Sequence, residues 1–470
     1  MRTKVVATIG PASASPETII ALARAGVDVF RLNMAHGTQE EHGKVISWAR
    51  EASEFLDKPI AVLADLAGPK IRIGTLPEMV PLHEGKKVTL VPEDRAEPGE
   101  LPTTYPELAL DLSPGDRVLL DDGIIELRVE DLQPPRVICT VIRGGPLTSN
   151  KGINLPGVRV SAPALTEKDL DDLDFLVEAE ADYIALSFVQ RAEDIRDLRR
   201  RIPEGPLIVA KIEKDTALDN IDEILSESDA VMVARGDLGV ELPFEEVPVA
   251  QKRIIRLANL FGRPVITATQ MLESMIEAPR PTRAETSDVA NAVFDGTDAV
   301  MLSGETAVGR YPLLAAEAMV RIAGEIERSS DFSEGPKYDV PVYNHLPAGA
   351  TPTEHAVAAA TVEAVRLLGA PAIICLTRSG FTARLVSSYR PPVPIIGVSD
   401  LEPTYRRLAL VWGVVPVRCF TEVSYDSMLD CAREFLTESG MARPGERVVV
   451  TAGYPFHVSG TTNMLRIEEL

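Results

Sequence analysis

Leu207-Ile208-Val209-Ala210-Lys211-Ile212-Glu213 is the stretch around which the rest of the chain is ordered. Preceded by Pro206, it is short, β-branched and almost wholly apolar, so it reads as a strand buried on both faces, the kind found in parallel sheets covered by helices. Lys211 and Glu213 interrupt the run at i and i+2, which sends both side chains to one face. Lysine and glutamate are almost never buried without partners, so that face looks onto something charged. A second apolar run, 230–234, ends in Arg235-Gly236-Asp237. An acid at each of two neighbouring strand ends, with a lysine beside the first, suits a hard divalent cation next to a phosphorylated or enolic oxygen. A structural lysine–glutamate ion pair is the plainer alternative.

Working outward, apolar runs at 4–9, 27–33 and 59–66 alternate with helical patterns at 16–25 and 38–56, the first with Pro16 at its start. After 166–178, whose Thr166-Glu167-Lys168-Asp169 opening is a capping box, strands are expected at 182–188, 207–212, 229–234, 264–268 and 298–302, with a last helix near 313–328. Strict alternation means parallel strands, and eight units predict a closed (β/α)8 TIM barrel rather than an open sheet. Between 73 and 159 the texture changes to short segments separated by Glu84-Gly85, Pro98-Gly99, Pro114-Gly115, Asp122-Gly123 and Gly144-Gly145. That is the pattern of an inserted small β-barrel, placed to act as a lid. A polar connector from 329 to about 352 leads into a second α/β pattern. The expected division is 1–72 with 160–340 as catalytic barrel, 73–159 as lid and 341–470 as a C-terminal open-sheet α/β domain.

A formal net charge of −22 over 470 residues, with no basic run, excludes a nucleic-acid partner but leaves room for a local pocket that takes small anions. Cys139, Cys375, Cys419 and Cys431 show no CxxC or zinc spacing, and are expected as buried free thiols in a reducing cytoplasm. Neither a signal-peptide pattern nor an 18-residue apolar segment is present, which predicts a soluble cytoplasmic protein with no membrane partner.

In a barrel of this kind chemistry collects at the carboxyl ends of the strands. Those ends supply Arg31 and Asn33, Asp65, Ser187, Lys211 and Glu213, Arg235 to Asp237, Thr267 and Thr269, and Ser303 with Glu305. Here the chain resembles the pyruvate kinase family over its full length. The resemblance rests on seven motifs in order: 31–37 (RLNMAHG), 65–72 (DLAGPKIR), 151–157 (KGINLPG), 210–213 (AKIE), 234–239 (ARGDLG), 267–275 (TATQMLESM) and 301–307 (MLSGETA).

The resemblance implies transfer of the phosphoryl group of phosphoenolpyruvate to ADP, giving pyruvate and ATP. Lys211 would stabilise the transferring phosphoryl and the developing enolate, Arg31 would contact the phosphate, and Thr269 would lie near the carbon that is protonated. Glu213 and Asp237 would ligate Mg²⁺ or Mn²⁺, and the amides of Arg235, Gly236 and Asp237 would hold the substrate carboxylate. Asn33, His36, Arg72 and Lys151 would meet the nucleotide. The loop Thr377-Arg378-Ser379-Gly380-Phe381-Thr382, at a strand-to-helix turn, would cradle the phosphate of an allosteric activator. The facing loop 453–460 contains neither Lys nor Arg, which favours a monophosphate, AMP or a sugar monophosphate, over a bisphosphate. A homotetramer is implied as well. Many relatives hold K⁺ with an Asn, a Ser, an Asp and a Thr beside a Glu. Asn33 and Asp65 remain here, but Ala35, Leu66 and Lys70 replace the other three, so K⁺ is not expected to be required.

Overall fold

In the computed structural model of the chain, residues 1–329, 331–332, 335, 352–419, 424–454 and 461–470 are described. Eight parallel strands form a closed ring in chain order: Lys4–Ile9, Val29–Asn33, Ala61–Asp65, Tyr183–Leu186, Leu207–Ile212, Ala230–Ala234, Val265–Ala268 and Ala299–Leu302, the last pairing with the first. Each lies within its expected range. Val27 is lost to the preceding helix end, where left-handed Gly26 (φ 112°) turns the chain and Val27 N–H caps Leu22 C=O at 3.1 Å. Phe188, with φ 55°, lies beyond the end of the fourth strand.

The period of two divides the strands. Val6, Leu63, Val209, Met232, Ile266 and Met301 meet inside the ring, while Val5, Phe30, Val62, Ile208 and Val231 pack outward with the helices. Capping fixes where those helices start. Thr38 with Glu41, Thr166 with Asp169 and Thr282 with Glu285 all form reciprocal capping boxes.

The insertion contains a six-stranded sheet, ordered Ile153–Asn154, Arg117–Leu120, Ile125–Gln133, Arg136–Arg143, Lys87–Pro92 and Leu101–Thr103, and a ribbon of Val80–Leu82 with Gly145–Leu147. Its two edges are joined by the entering segment 71–74. Ile73 N–H bonds Lys151 C=O (2.8 Å) on one side, while Gly74 N–H bonds Pro102 C=O (2.8 Å) and Thr104 N–H bonds Arg72 C=O (2.9 Å) on the other. Isolated bridges at Arg72–Gly152 and Ile73–Thr103 complete the small barrel expected there.

After the helix Pro352–Leu368, a five-stranded sheet runs Val414–Arg418, Ile395–Ser399, Ile373–Leu376, Arg447–Ala452 and Met464–Glu469, parallel except for the last. It packs beneath the amino ends of the barrel strands. Arg390, 1 % exposed, donates to both oxygens of Asp298 (3.0 Å each), to Asn259 Oδ1 (2.6 Å) and to Gly296 C=O (2.7 Å), and its guanidinium lies 4.8 Å from the Trp412 ring. Arg406 Nε meets Asp182 Oδ1 at 2.8 Å, and Lys4 Nζ reaches Val414 C=O at 2.8 Å. Ala409 and Leu410 plug the inner core from below.

One expectation is corrected. Cys139 and Cys375 are free and buried, but Cys419 and Cys431 form a disulfide. Cys419 follows the Val414–Arg418 strand and Cys431 lies on the helix Tyr425–Glu438 packed against it, a proximity that sequence spacing alone does not reveal. Among the described residues no helix is long and apolar enough to cross a membrane.

Candidate active site at the barrel mouth

Lys211 and Glu213, separated by two positions on an inward-facing row, reach the carboxyl end of the ring together. Lys211 is buried, and its ammonium donates to Ser187 Oγ (2.7 Å), Glu213 Oε1 (2.8 Å) and Asp65 Oδ1 (3.0 Å). Burial opposes its charge, but Asp65 and Glu213 together outweigh that and hold the group above the ordinary lysine value. Arg31 shares Asp65, donating from Nε (2.8 Å) and Nη2 (2.6 Å) to Oδ2 and from Nη1 to Thr8 Oγ1 (3.0 Å). Glu213 Oε2 accepts Phe188 N–H at 2.8 Å, so the left-handed turn at Phe188 presents an amide to a buried carboxylate. Burial pushes the Glu213 carboxyl up; Lys211 pulls it down, and the negative charge of Asp237 pushes it up again.

A second group lies across the sixth and seventh strands. Thr269, with φ 67°, accepts Gly236 N–H at 2.7 Å and donates to Ala268 C=O at 2.6 Å. Arg235 does not face the mouth as a free cation: it donates to Thr269 C=O (2.7 Å) and Gln270 C=O (3.2 Å) and pairs with Asp288 (2.6 Å). It is therefore the brace for the strained Thr269–Gln270 backbone. Asp237, half-buried, lines a cleft of about 650 Å³ together with Gly236, Gln270, Lys70 and lid residue Asp122.

The other mouth residues separate. Asn33 Oδ1 accepts Ala35 N–H (3.2 Å), and His36 is exposed. Arg72 Nη1 donates to Asn150 C=O (3.0 Å) and Lys151 pairs with Asp121 (2.7 Å), both at the lid hinge. Lys70 is exposed and its ammonium has no partner among the described residues. Thr267 does not join the mouth residues: buried on the outer face of its strand, it bonds Thr297 at 2.9 Å. Glu305 accepts Leu272 N–H (3.0 Å) and Ser303 N–H (2.6 Å), which makes it a loop clamp. Thr8 is missing from the expected set, although the inward parity of Val6 points to it.

The second predicted site lies on the C-terminal sheet. Its spatial order places Ile373–Leu376 between Ile395–Ser399 and Arg447–Ala452, so the strand order reverses there, and ligands of open α/β sheets bind outside such a switch point. Thr377 Oγ1 accepts Gly380 N–H (3.0 Å), left-handed Gly380 (φ 79°) starts the helix Phe381–Ser388, and Thr382 Oγ1 meets Thr462 Oγ1 at 2.8 Å. Arg378 is exposed beside Asp400 at 3.6 Å, and Ser379 C=O accepts from Arg384. Of the loop 453–460 expected to close over this site, residues 455–460 lie outside the described residues.

A closed barrel with a charged network at its carboxyl end, entered beneath an insertion that follows the third strand, defines a barrel enzyme working under a lid. Comparison with known proteins gives its kind. Residues 1–316 match the family model described as pyruvate kinase, barrel domain, and 355–468 match pyruvate kinase, alpha/beta domain. A pyruvate kinase of Geobacillus stearothermophilus is 44 % identical over 474 residues, 99 % of this chain and 80 % of that protein. One from Agrobacterium vitis is 43 % identical over 475 residues, 100 % of this chain and 97 % of that one. The crystal structure of a pyruvate kinase from Cryptosporidium parvum superposes with a TM-score of 0.90 at 34 % identity, covering 100 % of this chain and 96 % of that one. The chain belongs to the pyruvate kinase family.

The acid limb of stability reports on the network. Burial opposes ionisation of Asp65, but Lys211 and Arg31 hold its carboxyl below the usual value. Its pairings therefore stabilise the fold above the unfolded carboxylate pKa of about 4, and that contribution is lost as pH falls through the lower folded value. From this group alone, unfolding free energy is expected to drop by up to about 1.4 kcal/mol per pH unit below pH ~4. Asp65→Asn should remove that part of the slope in urea titrations followed by circular dichroism; an unchanged slope would assign the effect elsewhere.

Proposed function

We propose that the chain transfers the phosphoryl group of phosphoenolpyruvate to ADP, giving pyruvate and ATP, in cytoplasmic glycolysis. The observation that carries this reading is the buried Lys211 held between Asp65 and Glu213, whose charges favour its protonated form. Phosphoryl transfer passes through a loose transition state, for which positioning and fixed positive charge supply most of the catalysis. Lys211 faces the transferring group and the enolate oxygen. Arg31, aligned by Asp65 and Thr8, takes the phosphate. Thr269 stands by the carbon that receives the proton, its own hydroxyl proton lying on Ala268 C=O.

Glu213 and Asp237 would hold Mg²⁺ or Mn²⁺. Two carboxylates close enough for one to raise the other's pKa are a fitting donor set for an ion that completes its shell with water and substrate oxygens. When bound, the ion would supply positive charge against developing negative charge and a contact for the substrate carboxylate. Arg235 braces the carboxylate-binding turn of Gly236 and Asp237, and Asn33, His36, Arg72 and Lys151 form the nucleotide side. The working units are the barrel (1–72, 160–340), the lid (73–159) and the effector domain (341–470), assembled as a homotetramer.

Lys70 makes the monovalent requirement distinctive. Its unpartnered ammonium lines the same cleft as Asp237, which supports the reading that it supplies in cis the charge that K⁺ supplies in other members. At the switch point of the C-terminal sheet, the Thr377–Thr382 cradle supports activation by AMP or a sugar monophosphate.

A lactate-dehydrogenase-coupled assay with phosphoenolpyruvate, ADP and Mg²⁺ tests the reaction. Lys211→Met is expected to fold yet lose about two orders of magnitude or more in turnover, as the loss of a fixed charge worth roughly 3 kcal/mol or more requires. Near-normal turnover would end the assignment. With tetramethylammonium as the counterion the wild-type rate should persist, and Lys70→Glu should become K⁺-dependent; a wild-type rate that collapses without K⁺ would show that Lys70 does not do this. Titration of the same assay should show activation by AMP or a sugar monophosphate, and strong activation by fructose 1,6-bisphosphate alone would reverse the effector assignment.

A further inference from the structure

Away from Lys211, lid and barrel meet at another polar cluster. Asn154, on the lid strand Ile153–Asn154, donates through Nδ2 to Glu241 Oε1 at 3.2 Å, and Lys214 Nζ lies 3.4 Å from the same oxygen. Glu241 is 4 % exposed and Lys214 6 %, yet Glu241 Oε2 has no hydrogen-bond partner among the described residues. Asn154, Lys214 and Glu241 line a cavity of about 50 Å³ with Lys70 and Asp237.

The connections of these residues give the cluster its meaning. Lys214 directly follows Glu213, and Glu241 lies one turn beyond Asp237 on the helix Arg235–Glu241, so the pair straps together the two loops that carry the cation ligands. The lid touches both loops again. Gly157 N–H donates to Asp215 Oδ2 at 2.7 Å, and a β-carbon on Gly123 would lie 3.5 Å from Val240 Cγ1, so that lid turn rests on the same helix. A buried carboxylate is costly unless its partners are complete, and one with a bare oxygen is a poor choice for a purely structural tie.

We propose that Glu241 is a positioning residue: held by Asn154 when the lid is seated, it fixes through Lys214 the separation of Glu213 and Asp237, and so couples lid closure to divalent-cation affinity. This rests on the cation assignment made above. The lid also carries Lys151, and Arg72 stands at its hinge, so a nucleotide that seats the lid tightens the cation site, and the cation tightens nucleotide binding by the same factor.

Mn²⁺ binding, read as free ion by electron paramagnetic resonance in the presence of phosphoenolpyruvate and ADP, tests the coupling without relying on turnover. Asn154→Ala, Glu241→Gln and the double variant are compared with wild type. Each single change is expected to raise the Mn²⁺ dissociation constant on the order of tenfold, the usual cost of losing a group that orients a metal ligand. The double variant should be little worse than the poorer single one, because both changes break one connection. A dissociation constant within about twofold of wild type in a folded Asn154→Ala protein, or losses that multiply in the double variant, would overturn the proposal. Should Glu241→Gln fail to fold, Asn154→Ala decides alone, since it leaves the Glu241–Lys214 pair in place. A wild type that turns over no phosphoenolpyruvate fails the proposed function; an active wild type whose Mn²⁺ affinity ignores Asn154 fails only the coupling.

Discussion

The mouth of the barrel is organised by the need to keep one ammonium charged where water is scarce. Lys211 contacts two carboxylates and a hydroxyl, and each of those is tied to a different strand end: Asp65 to the third, Ser187 to the fourth, Glu213 to the fifth. Moving any one of them leaves a buried charge short of a partner, which is far more costly than losing an exposed ion pair. Arg31 extends the same logic to the second strand through Asp65 and to the first through Thr8. Five of the eight strands are thus held in register at their carboxyl ends by one charge network. The geometry of the mouth is thus set by contacts within the protein itself.

At the opposite end of the barrel a different buried cation does the joining. Arg390 follows the helix Phe381–Ser388, whose first turn is opened by the Thr377–Gly380 loop, and it ends on Asp298 immediately before the eighth barrel strand. A single short helix therefore has the candidate phosphate cradle at one end and the barrel's amino-terminal rim at the other.

Much of this is legible in the sequence because it is local. Lys4–Ile9, Pro16–Ala25 and Leu207–Ile212 match their expected limits, since a proline, a capping residue or the end of an apolar run sets each boundary. Lys211, Glu213, Arg31 and Asp65 stand out because a charged residue on a buried inward row must find an opposite charge or a ligand there. What escapes a linear reading depends on contacts between segments far apart in the chain. The motif names only the amide of Arg235, whereas its guanidinium is engaged by carbonyls 33 to 35 residues on. The alternation of the seventh strand puts Thr267 outside and Ala268 inside, so nearness to a strand end is a poorer guide than parity. Cys419 and Cys431 meet only because a helix folds back on its strand, and Glu241 becomes notable only once the lid is seen resting on it.

The segment 71–74 decides how the lid behaves mechanically. It is both the covalent entrance to the insertion and the piece of backbone that joins the two edges of its sheet, so the lid is sewn shut by its own stalk. Arg72 is part of that seam, bridged to Gly152, and Lys151 accepts Ile73 N–H across it, so the backbones of the two cations belong to one pairing rather than to independent loops. Freeing the backbone of either residue therefore means opening the pairing that closes the insertion's own sheet.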